Sequence, residues 1–286
     1  MVDQNALAQE IRESAARWLA EDVGSGDVTA GLIPERQWAT ARVSTHQSAV
    51  LCGVAWVEAL FHQLDPRVTL RWEAADGDPI TPEHPFLELE GPARSLFSGE
   101  RAALNLLRTL SATATTTRAY VDQLQGTHTR LFATSETLPG LRAAQHYAVT
   151  CGGGHCHRLG LWDAFVIKAP HIGACGGVKA AIGAARRIAP ALSVAIEVAT
   201  FEQLDQALAA GADTIMLRNF ELEDLHVAVE INGGRALLEA VGSVEPSALR
   251  AIADTGVDAI SLGALTRDVT AITLALRVVQ TFDVSP

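Results

Sequence analysis

SVAIEVATFEQLDQALAAGADTIMLR, residues 193–218, decides the fold. Ser193–Val198 and Asp213–Arg218 are short apolar runs of β type, and Phe201–Ala210 between them is an alanine-rich helical stretch. Gly211-Ala212-Asp213 closes that helix and opens the next strand. The same unit repeats on either side. Arg130–Thr134, Asp163–Lys168, Ala236–Glu239 and Asp258–Gly263 read as further strands, Val178–Ile188 and Pro246–Ala253 as helices, and Gly256-Val257-Asp258 as a second helix-to-strand lead-in. Apolar strands alternating with helices form a parallel sheet covered on both faces. Six units at spacings of roughly 20–35 residues favour a β/α barrel over a doubly wound open sheet. No glycine-rich dinucleotide fingerprint follows any of the strands.

Upstream the pattern differs. Residues 3–20 place Leu7, Ile11, Ala15 and Trp18/Leu19 at helical spacing. Over 40–92, short β-like runs (Ala41–Ser44, Val68–Trp72, Phe86–Glu90) flank a helical stretch at Trp56–Leu64, with turn chemistry at Asp76-Gly77-Asp78-Pro79 and Glu90-Gly91-Pro92. A long helix starts near Ser98. We therefore expect an α/β protein with an N-terminal α/β sandwich, formed by 1–25 and 26–125 with flanking helices, and a β/α barrel of six or seven strands over 126–270. Residues 271–286 are expected to return to the first domain as a C-terminal helix.

Composition excludes several classes. The 286 residues are 48% hydrophobic and 19% charged, which suits a globular core. Lys+Arg is 22 against Asp+Glu 33, a net charge of −11 with no basic stripe, so nucleic acid is not an expected partner. No window reads as a membrane span. Asp3, Glu10, Arg12 and Glu13 do not make a secretory leader, and four cysteines do not make a disulfide framework, so a cytoplasmic protein is expected.

Barrel active sites lie at the C-terminal ends of the strands. Those ends carry Thr134/Ser135/Glu136, Lys168, Glu197, Arg218, Glu239 and Ser261/Gly263, five of them ionisable positions that would converge on one mouth. The run Cys151-Gly-Gly-Gly-His155-Cys156-His157-Arg158 is not spaced as a zinc module. Its glycines suit a close approach of backbone to a ligand, with His155, His157 and Arg158 as donors for an anion. No residue is assigned as a metal ligand.

These segments resemble the quinolinate phosphoribosyltransferase family. The resemblance runs through Glu21-Asp22-Val-Gly-Ser-Gly26-Asp27-Val-Thr29, Gly99-Glu100-Arg101-Ala-Ala-Leu104-Asn105, Leu138-Pro139-Gly140-Leu141-Arg142, Tyr147-Ala-Val-Thr-Cys-Gly152-Gly153-Gly154-His155, His157-Arg158-Leu-Gly-Leu-Trp-Asp163, Ile196-Glu197-Val198 and Ser261-Leu-Gly263-Ala-Leu-Thr266. It implies a homodimer whose subunits share sites, with the barrel mouth binding quinolinate and Mg-loaded phosphoribosyl pyrophosphate. By the same resemblance Arg101 reaches the partner's site, Arg142, His157 and Arg158 bind a carboxylate substrate, Lys168 and Glu197 act at the phosphoribosyl donor, and Gly263 offers a backbone contact to phosphate.

The chain also departs from the family pattern. Asp-Thr-Arg-Lys-Thr is here Ala133-Thr134-Ser135-Glu136-Thr137, and Ile-Lys-Asp-Asn-His is Ile167-Lys168-Ala169-Pro170-His171. Met-Leu-Asp-Asn, whose aspartate helps hold Mg2+, is Met216-Leu217-Arg218-Asn219, and Glu-Ala-Ser-Gly-Gly is Glu239-Ala240-Val241-Gly242-Ser243. The charge changes at 135, 136, 169 and 218 cancel, so the mouth keeps its net charge and rearranges it. This favours an enzyme repurposed for a small carboxylate, with Ser135, Glu136, Arg218, Glu239 and Ser243 lining a changed donor half. The alternatives are a genuine phosphoribosyltransferase making nicotinate mononucleotide, pyrophosphate and CO2, with Mg2+ as cofactor in that case alone, and a non-catalytic binding paralogue. Glu136 and Arg218 are expected to form an ion pair across the pocket floor.

Overall fold

The computed structural model describes residues 4–242 and 244–284. They form two compact units. The first runs to Arg118 and takes in 143–153 and the chain from Asp268 onward, and the second holds 119–142 and 154–267. Among the described residues, no helix is long and apolar enough to cross a membrane.

In chain order the first stretch gives α1 (Gln4–Val23), β1 (Gln37–Thr45), β2 (Ala49–Val50), α2 (Val54–Leu64), β3 (Thr69–Trp72), β4 (Pro79–Ile80), β5 (Pro85–Pro92) and α3 (Ala93–Gln123). α3 is amphipathic, with Leu96, Leu104, Leu107 and Leu110 buried. Two of its hydroxyls bond back along the helix. Thr117 Oγ1 donates to the Thr113 carbonyl at 2.8 Å and Thr115 Oγ1 to the Ser111 carbonyl at 2.6 Å.

The second stretch alternates as the sequence pattern predicts. It gives β6 (Arg130–Ala133), α4 (Arg142–Cys151), β7 (His155–Cys156), β8 (Phe165–Ile167), α5 (Ala169–Cys175), α6 (Val178–Ile188), β9 (Val194–Val198), α7 (Phe201–Ala209), β10 (Thr214–Arg218), α8 (Leu222–Asn232), β11 (Leu237–Val241), α9 (Leu249–Asp254), β12 (Ala259–Leu262) and α10 (Ala264–Arg267). Seven parallel strands lie in the order β7-β6-β12-β11-β10-β9-β8, a half-barrel sheet. The two Gly-x-Asp lead-ins have one mechanism. Gly211 and Gly256 take positive φ (75° and 91°) to end their helices. The aspartate two residues on then accepts a backbone N–H from the start of the neighbouring strand, Asp213 from Val194 at 2.7 Å and Asp258 from Leu238 at 2.8 Å. Each aspartate thereby fixes the register of adjacent strands.

The tail departs from expectation. Instead of a helix, 274–283 is β13 (Leu274–Asp283), antiparallel to β1. It completes a four-stranded antiparallel sheet in the order β13-β1-β5-β3, beside a small β2-β4 pair. Pairing with β1 outweighs the helical leaning of Leu274-Ala275-Leu276, and the β-branched residues that follow favour a strand. A second difference concerns α4. Ala144 and Ala148 are buried in the first unit's core, so 143–153 belongs there although it lies between two barrel strands in the chain. Gly152 makes that packing possible, since a Cβ there would collide with Thr117 and the Ala114 carbonyl of α3.

Candidate active site at the strand ends

Parallel register sorts the side chains into tiers. Glu197, Met216, Glu239 and Ala259 share one row across β9, β10, β11 and β12. Two residues along, on the same face, Arg218, Val241, Ser261, Phe132 and His155 share the next. Glu239 therefore sits mid-strand with its side chain turned inward, not at a strand end as the sequence suggested, because β11 runs two residues further to Val241. Lys168 follows β8 directly and is exposed, and its backbone N–H donates to His171 Nδ1 at 3.0 Å.

Two cation–carboxylate pairs and one imidazole–carboxylate contact ring this mouth. Arg218 Nη1 lies 2.9 Å from Glu197 Oε1, with side-chain exposures of 54% and 11%. Arg267 Nη1 lies 2.9 Å from Glu136 Oε2, both 59% exposed. His157 Nε2 lies 2.8 Å from Glu239 Oε1 deep in the barrel, with exposures of 17% and 4%. That last approach is out of line for a hydrogen bond, so both atoms are buried without a hydrogen-bond partner, as is the Ser261 hydroxyl. Buried polar atoms of this kind cost about 1–3 kcal/mol each when unmet. They lie on the inner face of the sheet, Glu239 in one tier and Ser261 in the next.

Aromatic packing orients the imidazoles. The His157 ring stacks on Phe132 with centroids 5.3 Å apart at 23°, and His155 lies 5.3 Å from the same ring. Arg130 stands over Phe132 at 5.9 Å. Burial, with help from the Arg130 charge, holds His155 below the ordinary histidine value. Burial pushes the Cys156 thiol up to about 12, so it stays protonated. Arg158 Nη1 donates to the Ala164 carbonyl at 3.2 Å, tying down the loop after β7. Gly263 lies directly beneath the Glu136 carboxylate, which a Cβ at that position would displace.

The expected Glu136–Arg218 ion pair does not form. β6 and β10 are separated by β12 and β11 in the sheet. Three strand spacings of about 4.8 Å put their ends some 14 Å apart, beyond the reach of an ion pair. Each residue instead pairs with a neighbour, Arg218 with Glu197 on adjacent β9 and Glu136 with Arg267 on α10, which follows adjacent β12. Arg267 escaped the sequence reading because it lies beyond the strand end, and only its closeness to Gly263 hinted at it. The inward Ser261 was noticed solely as a strand-end residue.

Other expected site residues lie elsewhere. Ser135 sits in the half-exposed loop after β6, and Arg142 opens α4 with Nε donating to Thr137 Oγ1 at 3.3 Å. Ser243 falls outside the described residues. Arg101 belongs to the first unit, where its Nε meets Asp22 Oδ1 at 2.7 Å beside a cleft of about 640 Å3. Asp27 borders that cleft, held below the usual carboxylate range by the backbone N–H of Ala30 and the Ser98 hydroxyl.

A hard divalent cation wants several convergent carboxylate oxygens. Glu136, Glu197 and Glu239 each face a positively charged or protonatable group instead. Among the described residues no three His, Cys, Asp or Glu side chains converge to hold an ion. The donor set does not fit a resident Mg2+.

Comparison with known proteins is consistent along most of the chain. Residues 27–111 match the N-terminal domain and residues 113–277 the C-terminal domain of the quinolinate phosphoribosyl transferase family. A nicotinate-nucleotide pyrophosphorylase (carboxylating) of Mycobacterium leprae is 38% identical over 274 residues, covering 93% of this chain and 96% of that protein. A probable one from Bacillus subtilis is 36% identical over 270 residues, covering 94% of this chain and 93% of its own. The structure of the nicotinate-nucleotide pyrophosphorylase from Francisella tularensis superposes with a TM-score of 0.92 at 39% identity, covering 95% of this chain and 96% of that one. With both domains matched and nine-tenths of the length shared at such identity, the chain belongs to the quinolinate phosphoribosyl transferase family, a family of pentosyltransferase enzymes.

Proposed function

We propose that this protein transfers a phosphoribosyl group from phosphoribosyl pyrophosphate to the ring nitrogen of a pyridine carboxylic acid of the quinolinate class. The ring nitrogen forms the bond to the ribose anomeric carbon as pyrophosphate leaves, and with quinolinate the adjacent carboxylate then departs as CO2 while a proton takes its place on the ring carbon. The observation that carries this reading is a mouth holding Lys168, Glu197, His157 and Glu239 on a scaffold whose relatives are named pyrophosphorylases at 36–38% identity. This supports the family's own reaction over the repurposed enzyme that the substitutions first suggest. In this reading the exposed Lys168 and the half-exposed Arg218 counter phosphate charge, because both are cations reachable from solvent at the ends of β8 and β10, on either side of β9. Arg158 and His157 present donors to the carboxylated ring, and the second oxygen of Glu197 accepts from the ribose hydroxyls.

Incubation with quinolinate and the donor, followed by chromatography, tests it. Nicotinate mononucleotide and pyrophosphate should form in equal amounts, and Lys168→Ala should lower kcat/KM by about 100-fold, the scale of a lost charge-stabilising donor. No nucleotide from quinolinate would sink the reading. One observation favours a second reading, an enzyme repurposed for a small carboxylate: all three mouth carboxylates are engaged and none is left for a metal-bound pyrophosphate. That enzyme would bind pyridine dicarboxylates yet give no nucleotide with the donor present.

A further inference from the structure

A second cluster of reactive side chains lies in the first unit, apart from the strand ends. It is organised by Asp76 in the turn between β3 and β4. Asp76 Oδ1 accepts the backbone N–H of Gly53 at 2.8 Å and of Val54 at 3.1 Å, and Oδ2 accepts the Tyr147 hydroxyl at 2.9 Å. Cys52 directly precedes Gly53. Cys151 follows Tyr147 by four residues on α4, so it lies on the same helix face. One carboxylate thus draws two cysteine-bearing segments together. The backbone agrees, since Gly77 N–H donates to the Leu51 carbonyl at 2.9 Å while a Cβ on Gly77 would lie 4.0 Å from the Cys151 Cα. The two thiols are brought close enough there to influence each other's ionisation.

We propose that Cys52 and Cys151 form an oxidation site that closes reversibly to a disulfide on reaction with a small hydroperoxide. The two thiols are unequal in the way such a site needs. Cys52 is fully buried, its backbone N–H bonded to Ser111 Oγ at 3.0 Å, whereas Cys151 is half-buried. The neighbouring Cys52 thiol holds the Cys151 thiol below its ordinary value, while burial holds Cys52 well above. The thiolate is the nucleophile, so Cys151 attacks first. Its sulfur takes one oxygen of the peroxide, the O–O bond breaks, and the other oxygen leaves as water. The Cys52 sulfur then attacks the Cys151 sulfenic acid, the S–O bond breaks, and a second water leaves with the Cys52 proton. Two thiols lose two electrons and two protons, and one hydrogen peroxide becomes two waters. A dithiol reductant reverses the bond by exchange.

The whole protein tests this directly. After brief treatment with hydrogen peroxide and quenching, thiols titrated under denaturing conditions should fall from the four free cysteines to two. The intact mass should drop by two hydrogens, and a non-reduced peptide map should join the Cys52 and Cys151 peptides. Dithiothreitol should restore all of this. In Cys52→Ser the sulfenic acid has no resolving thiol, so dimedone should label Cys151, and Cys151→Ser should give neither adduct nor disulfide. If either variant fails to fold, the peptide map of the unmodified protein still decides. Cys52 and Cys151 both remaining free to maleimide after peroxide, or a bond to Cys156 or Cys175 instead, would overturn the proposal.

Discussion

Replacing Arg218 by alanine strips Glu197 of its cation. The arginine is 54% exposed and the glutamate 11%, with 2.9 Å between charged atoms. The pair itself, screened on the arginine side, is worth only about 0.2–1 kcal/mol. The larger effect is the stranded carboxylate, mostly withdrawn from water, which adds a part of the ~1–3 kcal/mol cost of an unmet polar group. We expect Arg218→Ala to lose about 1–2 kcal/mol of stability at neutral pH, a fall in Tm of a few degrees for a chain of this size. If the guanidinium also holds a phosphate group, calorimetric titration with inorganic pyrophosphate should show Kd rising about 10–100-fold, as expected when a charge-assisted hydrogen bond is lost. Affinity for a pyridine dicarboxylate should change little. Mg2+ alone should give no binding heat with the unmodified protein. Arg218→Asp, which sets a second carboxylate beside Glu197, should gain weak Mg2+ binding. Unchanged pyrophosphate affinity in Arg218→Ala, or tight Mg2+ binding by the unmodified protein, would refute the assignment of Arg218 as the cation serving the anion.

Three further outcomes follow from the geometry. A double-mutant cycle on Glu136 and Arg267 should give a coupling of about 0.2–1 kcal/mol, since both are exposed, whereas the Glu136–Arg218 cycle should be additive. The Arg67 guanidinium, with help from the Ser95 hydroxyl, holds the Asp65 carboxyl at about 2, below its ordinary 3.8. A depressed folded value stabilises fully above about pH 4 and is lost as pH falls towards 2, so Asp65→Asn should cost about 1–2 kcal/mol at pH 7, discounted for the exposed Arg67. A gap between Asp65→Asn and the unmodified protein that persists undiminished at pH 2 would contradict that sign. Maleimide at pH 8 should label the exposed Cys175 and spare Cys156, whose thiol stays protonated up to about 12; equal labelling rates would show that Cys156 is not buried.

The barrel was legible because it is built from local, repeated rules. Two of its helices end on glycine with the following strand introduced by aspartate, and residues 193–218 alone contain the whole device. β7 was missed as a strand because two residues carry no periodicity, and nothing local separates such a run from a loop. β13 was misread because a strand at a sheet edge is specified by its partner, here β1, and Leu274-Ala275-Leu276 by itself suits either state. The same distinction governs the site. Residue type and strand end located Lys168, Glu197, Arg218 and Gly263, since those properties are one-dimensional. Pairing depends on the lateral order of strands, which chain order does not reveal: β12 is last of the barrel strands in the chain yet neighbours β6, the first. That is why the sum of four charge changes could be taken from the sequence while the ion-pair partners were assigned wrongly. Net charge is a sum and survives ignorance of position, whereas an ion pair requires two specific strands side by side. Once the order is known the substitutions form two local exchanges. The arginine at 218 meets the glutamate one strand away, and the glutamate at 136 meets the arginine that follows the next strand. Each carboxylate thereby gains a cation within reach, so the mouth can hold an anionic ligand through Arg218 and Lys168 with every acidic group in it already facing a cation or an imidazole.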